Sequence, residues 1–107
     1  MNGKMGKMLK QVQKAQAQIL KLQEELGRRT VEATSGGGAV RAVCSGAKEL
    51  LELHIDPEIL KEEEADVEMI QDLVITAVNE ALRAADKMVA DEMAKITGGM
   101  GLPPNML

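Results

Sequence analysis

The sequence predicts an α+β fold in which a long helix, a three-stranded antiparallel sheet and a second long helix follow one another. Apolar residues recur every three and four positions near both ends of the chain, and a β-branched, glycine-interrupted region lies between them. The 107 residues include no Phe, Tyr or Trp, so the single core lacks aromatic bulk. We therefore expect one domain over residues 1–97, a flexible Gly/Pro/Met tail over residues 98–107, and a homodimer.

The first helix is predicted over residues 4–28 by a seven-residue repeat. Apolar residues occupy the a and d positions of this heptad, which places them in one narrow stripe. Such a stripe packs either within the subunit or against the same helix of a second copy, and the strict seven-residue step favours a second copy. We call this stripe the seam; it comprises Met5 and the predicted dimer contacts Met8, Val12, Ala15, Ile19, Leu22 and Leu26.

The middle of the chain predicts three antiparallel strands with one buried apolar face. Residues 30–35 and 39–45 are rich in β-branched and small apolar side chains, and two-residue turns at Gly36-Gly37 and Gly46-Ala47 would connect the strands. The second turn predicts a register with Val40 opposite Leu53, Ala42 opposite Leu51 and Arg41 opposite Glu52. In this register the single cysteine, Cys44, is expected to be a small core residue.

The second long helix is predicted to begin after a short acidic linker. Asp56 and Pro57 favour a single helical turn that ends at Leu60. Asp66 can then cap a helix whose wide apolar stripe covers the sheet, and the helix is expected to run to about Ile96, before two glycines.

Charge is unevenly distributed along the chain, although the formal net charge is only −4. Residues 1–29 hold seven basic and two acidic side chains, whereas residues 30–107 hold six basic and fifteen acidic ones. This distribution is typical of a protein that binds a polyanion through its basic segment, while its acidic segment repels nonspecific contacts with polyanions.

The basic residues of the first helix share one outward face. Four of them recur every seven residues at the c positions of the heptad, about 10 Å apart along the helix axis, and Lys10 lies at an f position. Cations with this spacing can follow the phosphates of a duplex. A solvated coiled-coil exterior explains them equally well on charge alone, although such exteriors alternate in sign and no acidic residue precedes Glu24. The four c positions, called the basic row, are Lys7, Lys14, Lys21 and Arg28.

Several classes of function have no motif in this sequence. Cys44 and His54 are each the only residue of their kind, which excludes an internal disulfide and a cysteine-cluster metal site. Ser45 and His54 fall at opposite ends of the predicted hairpin, too far apart to form a hydrolytic triad with Asp56. We expect no catalytic residues, no cofactor, no metal and no small-molecule substrate, and we interpret residues 61–64 as a solvated acidic linker.

The sequence contains no apolar run of about 18 residues, and its first lysines are not followed by the apolar stretch of a secretory signal. We therefore expect a cytoplasmic protein that does not contact a membrane.

The order of these segments resembles the YbaB/EbfC family of small bacterial nucleoid-associated proteins. The resemblance spans nearly the whole chain. It depends on the Lys/Gln/Met-rich first helix, the Ser35–Val40 hairpin, Ser45-Gly46, the segments Ile55–Leu60 and Asp72–Leu82, and the Gly/Pro/Met tail. It implies a tweezer-like homodimer with projecting helices and no enzymatic activity.

The resemblance also implies a function, which is binding of double-stranded DNA in the nucleoid with little or loose sequence preference. Binding of this kind coats or bridges DNA and can influence gene expression. The positions that match the DNA-contacting surface are Lys4, Lys7, Lys10, Lys14, Lys21 and Arg28 on the first helix, with Arg83, Lys87 and Lys95 on the second as further candidates.

A different class of function uses the same features of the sequence. Two helices that rise from a small β platform also resemble prefoldin-type holdases, which grip protein partners between helical arms. The seam and the eight methionines would serve that grip, whereas a row of cations would not.

Overall fold

The computed structural model describes residues 3–61 and 66–100, and it confirms the predicted order of helix, three strands and helix. Most of the predicted acidic linker and the tail beyond Met100 lie outside the described residues. The elements are α1 (Gly3–Arg28), β1 (Thr30–Ser35), a 3₁₀ turn (Gly36–Gly38), β2 (Val40–Ser45), β3 (Leu50–Ile55), a second 3₁₀ turn (Pro57–Leu60) and α2 (Val67–Met100).

The core lies between α2 and one face of the sheet, whose strand order is β1-β2-β3. Ala77 and Ala81 of α2 pack against three fully buried side chains of β2, which are Val40, Ala42 and Cys44. Alanines one turn apart leave no bulk between helix and sheet, so the two layers approach closely without aromatic filling. The prediction that Cys44 is a core residue is confirmed, and its burial raises the pKa of the thiol.

The predicted register between β2 and β3 is wrong by two residues. Val40 lies opposite Ile55 and Ala42 opposite Leu53. The loop has three residues rather than two, because Lys48 adopts a left-handed conformation with φ 66° and the Ser45 N–H donates to the Glu49 carbonyl at 2.9 Å. A left-handed third loop residue is typical of three-residue hairpins.

A register shift between Val43 and Cys44 adds a bulge at this end of the ladder, with Leu51 as the extra residue of β3. From Val40 to Val43 the shift is two residues, which keeps the paired side chains on their predicted faces, whereas beyond the bulge Leu50 lies opposite Cys44. Arg41 nevertheless changes partner: it lies opposite His54 rather than Glu52, and its guanidinium pairs with Glu32 at 2.8 Å.

The first hairpin also turns later than predicted. Ser35 pairs with Val40, so the connection is a 3₁₀ turn rather than a two-residue turn at Gly36-Gly37. All three glycines have positive φ, between 61° and 96°, a conformation that side chains with a Cβ disfavour. Val31 and Ala33 still pair with the buried residues of β2, as the apolar face requires.

Capping residues define the start of both later helical segments. The Asp56 Oδ1 accepts the Glu58 N–H at 3.0 Å at the head of the short turn, and the Asp66 Oδ1 accepts the Met69 N–H at 3.1 Å at the head of α2. Both caps were predicted. The end of α2 was not, because the helix continues through Gly98 and Gly99 to Met100.

The molecule is elongated, with extents of 80 × 20 × 16 Å. Helix α1 contributes much of this length, since 26 residues span about 39 Å. The sheet contacts α2 extensively, whereas α1 contacts α2 only sparingly. Helix α1 is therefore an arm attached to the body at one end.

Candidate nucleic-acid interface

The arm is held at its C-terminal end by a tight junction with the second hairpin loop. Leu26 is fully buried there, and the Gly46 N–H donates to the Arg29 carbonyl at 2.9 Å. A Cβ atom at Gly46 would overlap the Leu26 backbone carbonyl. Arg29 also approaches Glu92 of α2 at 3.7 Å. These contacts fix the direction in which α1 leaves the body.

The basic row lies on the exposed surface of this arm. Lys7, Lys14, Lys21 and Arg28 are all exposed, and within residues 3–61 and 66–100 none of them has an ion-pair partner. Lys10 is likewise exposed and unpaired in this part of the chain, and it lines a shallow surface groove with Lys7, Gln11 and Lys14. The positive charge of the row is therefore available to an anion.

The basic residues of α2 have a different environment. The Arg83 guanidinium donates to Glu80 at 2.7 Å, and the Lys87 Nζ donates to Asp91 at 2.8 Å. The Lys95 Nζ lies 3.1 Å from Glu92. The hydrogen bond to Asp91 raises the pKa of Lys87, so this lysine stays charged but is locally compensated. A phosphate approaching α2 would meet ion pairs rather than free cations.

Burial along the seam increases steadily towards the body. Met5 is 67% exposed and Val12 53%, whereas Leu26 is fully buried. The middle positions Ala15 and Ile19, with Leu22 after them, are half-buried. Leu26 therefore packs within its own subunit, which corrects its assignment as a dimer contact. The inner end of the stripe packs within the subunit, and its outer end is exposed in the described part of the chain.

The third strand carries a second apolar surface, which the sequence did not predict. Three leucines of β3, namely Leu50, Leu51 and Leu53, are between 40% and 49% exposed, because α2 packs across β1 and β2 and does not cover the third strand. A helix about 10 Å wide spans two strands spaced about 4.8 Å apart, not three. The width of a helix could therefore have predicted that the third strand stays exposed. The expectation that α2 covers the sheet was wrong for β3. We call these three residues the β3 ledge.

The residue types that resemble a hydrolytic triad lie apart. Ser45 is buried at one end of β2, where its Oγ accepts the Glu49 N–H at 3.3 Å. His54 pairs with Arg41 towards the other end and hydrogen bonds to Glu52 at 3.2 Å. The described residues contain no group of three or more metal-ligating side chains, and none of their helices is long and apolar enough to cross a bilayer.

Comparison with known families decides the relationship. The sequence matches the YbaB/EbfC DNA-binding family over residues 1–100. The chain belongs to this family. As a YbaB/EbfC protein it is not an enzyme, as predicted, and the resemblance inferred from its segments is confirmed.

Relatives of known sequence support the assignment. A nucleoid-associated protein from Pelotomaculum thermopropionicum is 53% identical over 103 residues, with 96% of each chain covered. A nucleoid-associated protein from Moorella thermoacetica is 56% identical over 101 residues, which cover 94% of this chain and 95% of the relative. The holdase alternative finds no support among these relatives.

A solved structure with the same fold confirms the architecture. The uncharacterized protein HP0035 from Helicobacter pylori superimposes with a TM-score of 0.58 at 25% identity, covering 83% of this YbaB/EbfC chain and 96% of HP0035.

Proposed function

We propose that this protein binds double-stranded DNA through the phosphate backbone, with the basic row of α1 as the principal contact. The observation that carries the proposal is the contrast between the two helices. The cations of the row have no ion-pair partner in the described part of the chain, whereas Arg83, Lys87 and Lys95 are each compensated by a carboxylate. Lys4 and Lys10 extend the exposed positive surface at the outer end of the arm.

Contacts of this kind hold a protein on DNA without selecting a base sequence. Lysine binds phosphate as a point charge, and sequence is read by side chains that reach base edges in a groove. The chain also lacks aromatic residues, which removes base stacking as a means of binding single strands. We infer little or loose sequence preference, residence in the nucleoid, and a role in coating or bridging DNA.

Binding measured across a salt series tests this proposal. We expect the anisotropy of labelled duplexes to report an affinity that falls steeply with salt, with a log-log slope of about −4 to −7 for roughly five to eight neutralised phosphates. Duplexes of different sequence should give similar affinities at each salt concentration. A shallow slope with strong sequence dependence would contradict the phosphate contact.

We further propose that the protein is a homodimer whose contact includes the β3 ledge. The three leucines lie on the free edge strand of the sheet, and exposed apolar surface on an edge strand favours association with another chain. The core of one subunit is small and built largely of alanine and valine, so burial of the ledge adds to a limited hydrophobic stabilisation.

Sedimentation equilibrium at micromolar protein is expected to give twice the mass of the chain. Leu53→Lys should shift the mass towards that of one chain, because burial of an unpaired ammonium in the contact is costly. The matched control is His54→Lys, which adds a similar charge to the next residue, on the opposite face of β3. If the parent protein sediments as a folded single chain, the dimer is refuted.

A further inference from the structure

The outer end of the seam is an apolar surface that neither the body nor the basic row uses. Met5, Met8 and Val12 are more than half exposed, and together with Leu9 and Gly6 they line one shallow apolar groove. Leu9 does not belong to the a/d repeat, yet it is 59% exposed beside it. A partner that binds this surface must therefore cover Leu9 as well as the seam residues.

We propose that this outer segment, residues 4–16, pairs antiparallel with the same segment of a second copy of the chain. The biological role of this pairing rests on the proposed DNA binding, whereas the pairing itself does not. In an antiparallel pair of heptad helices, each a residue packs against a d residue of the partner. Met8 then packs against the partner's Val12, and Met5 against the partner's Ala15.

This register places its two-fold axis beside residue 10, and the axis explains the extra leucine. Leu9 occupies an e position, where it meets the partner's Leu9 across the axis and adds apolar area next to the Met8 layers. Gln11 occupies the g position on the other side and meets the partner's Gln11. Two amides can hydrogen bond to each other, so each residue on the axis has a compatible partner.

The charges of the arm are arranged to permit this contact. Lys7 and Lys14 lie at c positions and Lys10 at an f position, all directed away from the seam. The flanks within the overlap hold Leu9, Gln11 and Gln16, with Lys4 at a g position at the outer end of the overlap. No lysine of the three therefore faces a lysine across the contact. The inner positions Ile19 and Leu22 are not needed by this register and stay with their own subunit.

Antiparallel pairing has a consequence for the basic row. The c positions of both helices lie on the g side of the pair, so Lys7 and Lys14 of the two copies share one face. Two single rows become one two-row cationic face, which matches the polyanionic character of duplex DNA. A parallel pair would place the rows on opposite sides.

The contact is also distinct from the proposed β3 dimer. With the axis beside residue 10, the two Leu26 residues lie about 48 Å apart along the pair, from a rise of about 1.5 Å per residue. The two bodies sit at opposite ends and cannot also meet through their ledges. Each chain then has two separate self-association surfaces, and repetition of both links dimers into longer assemblies.

Cysteine cross-linking tests the contact and its register. Leu9→Cys and Leu20→Cys both replace exposed leucines of α1, at 59% and 62% exposure. The register brings the two copies of residue 9 together, whereas the copies of residue 20 are about 30 Å apart. Cys44 is fully buried with a raised thiol pKa, so the parent chain serves as the unreactive control. A short bifunctional maleimide is therefore expected to join Leu9→Cys chains, more so when duplex DNA screens the lysines, and not Leu20→Cys chains.

Cross-linking of both variants would indicate a parallel pair. If Leu9→Cys chains do not cross-link either with or without duplex DNA, the outer seam does not pair. Either result overturns the inference. The variants Leu9→Gln and Leu20→Gln separate this contact from DNA binding. In sedimentation velocity with duplex DNA, where the parent is expected to form species larger than the dimer, Leu9→Gln should abolish those species while the salt slope per dimer stays unchanged. Leu20→Gln should change neither. If Leu9→Gln leaves the larger species intact, the pairing is also refuted.

Discussion

Replacing Lys7, Lys14 and Lys21 by glutamine is expected to weaken binding to every duplex and to make the salt dependence shallower. Glutamine is nearly as good a helix former as lysine, so the arm should remain folded while three cations per subunit are lost. Each lost phosphate contact reduces the slope of log affinity against log salt by about 0.9. The slope should become shallower by roughly three if one arm contacts the duplex and by roughly five if both arms of a dimer do, with an affinity loss of about a hundredfold or more at low salt.

The matched control removes the same number of charges from the other helix. Arg83, Lys87 and Lys95 are each paired with a carboxylate one helical turn away, so glutamine at all three leaves Glu80 and Asp91 unpaired and Glu92 with Arg29 alone. We expect a modest, uniform weakening from the change in net charge and an unchanged salt slope. Circular dichroism of both triple variants should match the parent.

The opposite pattern would reassign the interface. If the α1 variant binds like the parent and the α2 variant does not, the row is a solvated exterior and the contact lies on α2. If neither variant differs from the parent, DNA binding does not depend on the basic residues of either helix.

The sequence was sufficient for features that depend on local pattern. The heptad of α1, the caps at Asp56 and Asp66 and the apolar faces of β1 and β2 were all predicted, because each follows from the spacing or type of neighbouring residues. The basic row was also visible, since a seven-residue step places cations on one side of a helix without any knowledge of the fold.

Features that depend on tertiary contacts could not be predicted in the same way. The β2–β3 register was set by the left-handed conformation of Lys48, and a lysine carries no sequence signal for that conformation. The burial of Leu26 depends on a hairpin loop some twenty residues away, and the exposure of the β3 ledge depends on how far α2 reaches across the sheet. The compensation of Arg83 and Lys95 was not predicted although it is local, since each lies three residues from a carboxylate of the same helix, Glu80 and Glu92.

Gly46→Ala is expected to be the most destabilising single substitution at the junction between arm and body. The φ of Gly46 is not in the left-handed region, so the cost is steric rather than conformational. A Cβ atom at this position would overlap the Leu26 backbone carbonyl and lie 3.2 Å from the Val89 Cγ2 atom. A backbone carbonyl cannot turn aside as a flexible side chain can, so the end of α1 has to move away from the loop.

That movement disturbs the fully buried Leu26 and strains the hydrogen bond from the Gly46 N–H to the Arg29 carbonyl. Overpacking against a rigid neighbour costs about 3 kcal/mol, which for a domain of this size lowers Tm by roughly 12 °C or more. Thermal and urea unfolding followed by circular dichroism measure this change. The matched control is Gly6→Ala on the exposed part of the arm, where an added Cβ meets nothing within 4 Å and helix propensity improves by up to about 1 kcal/mol. Equal unfolding midpoints for Gly46→Ala and the parent would show that the junction does not fix the arm, and the direction of the basic row would then be free to vary.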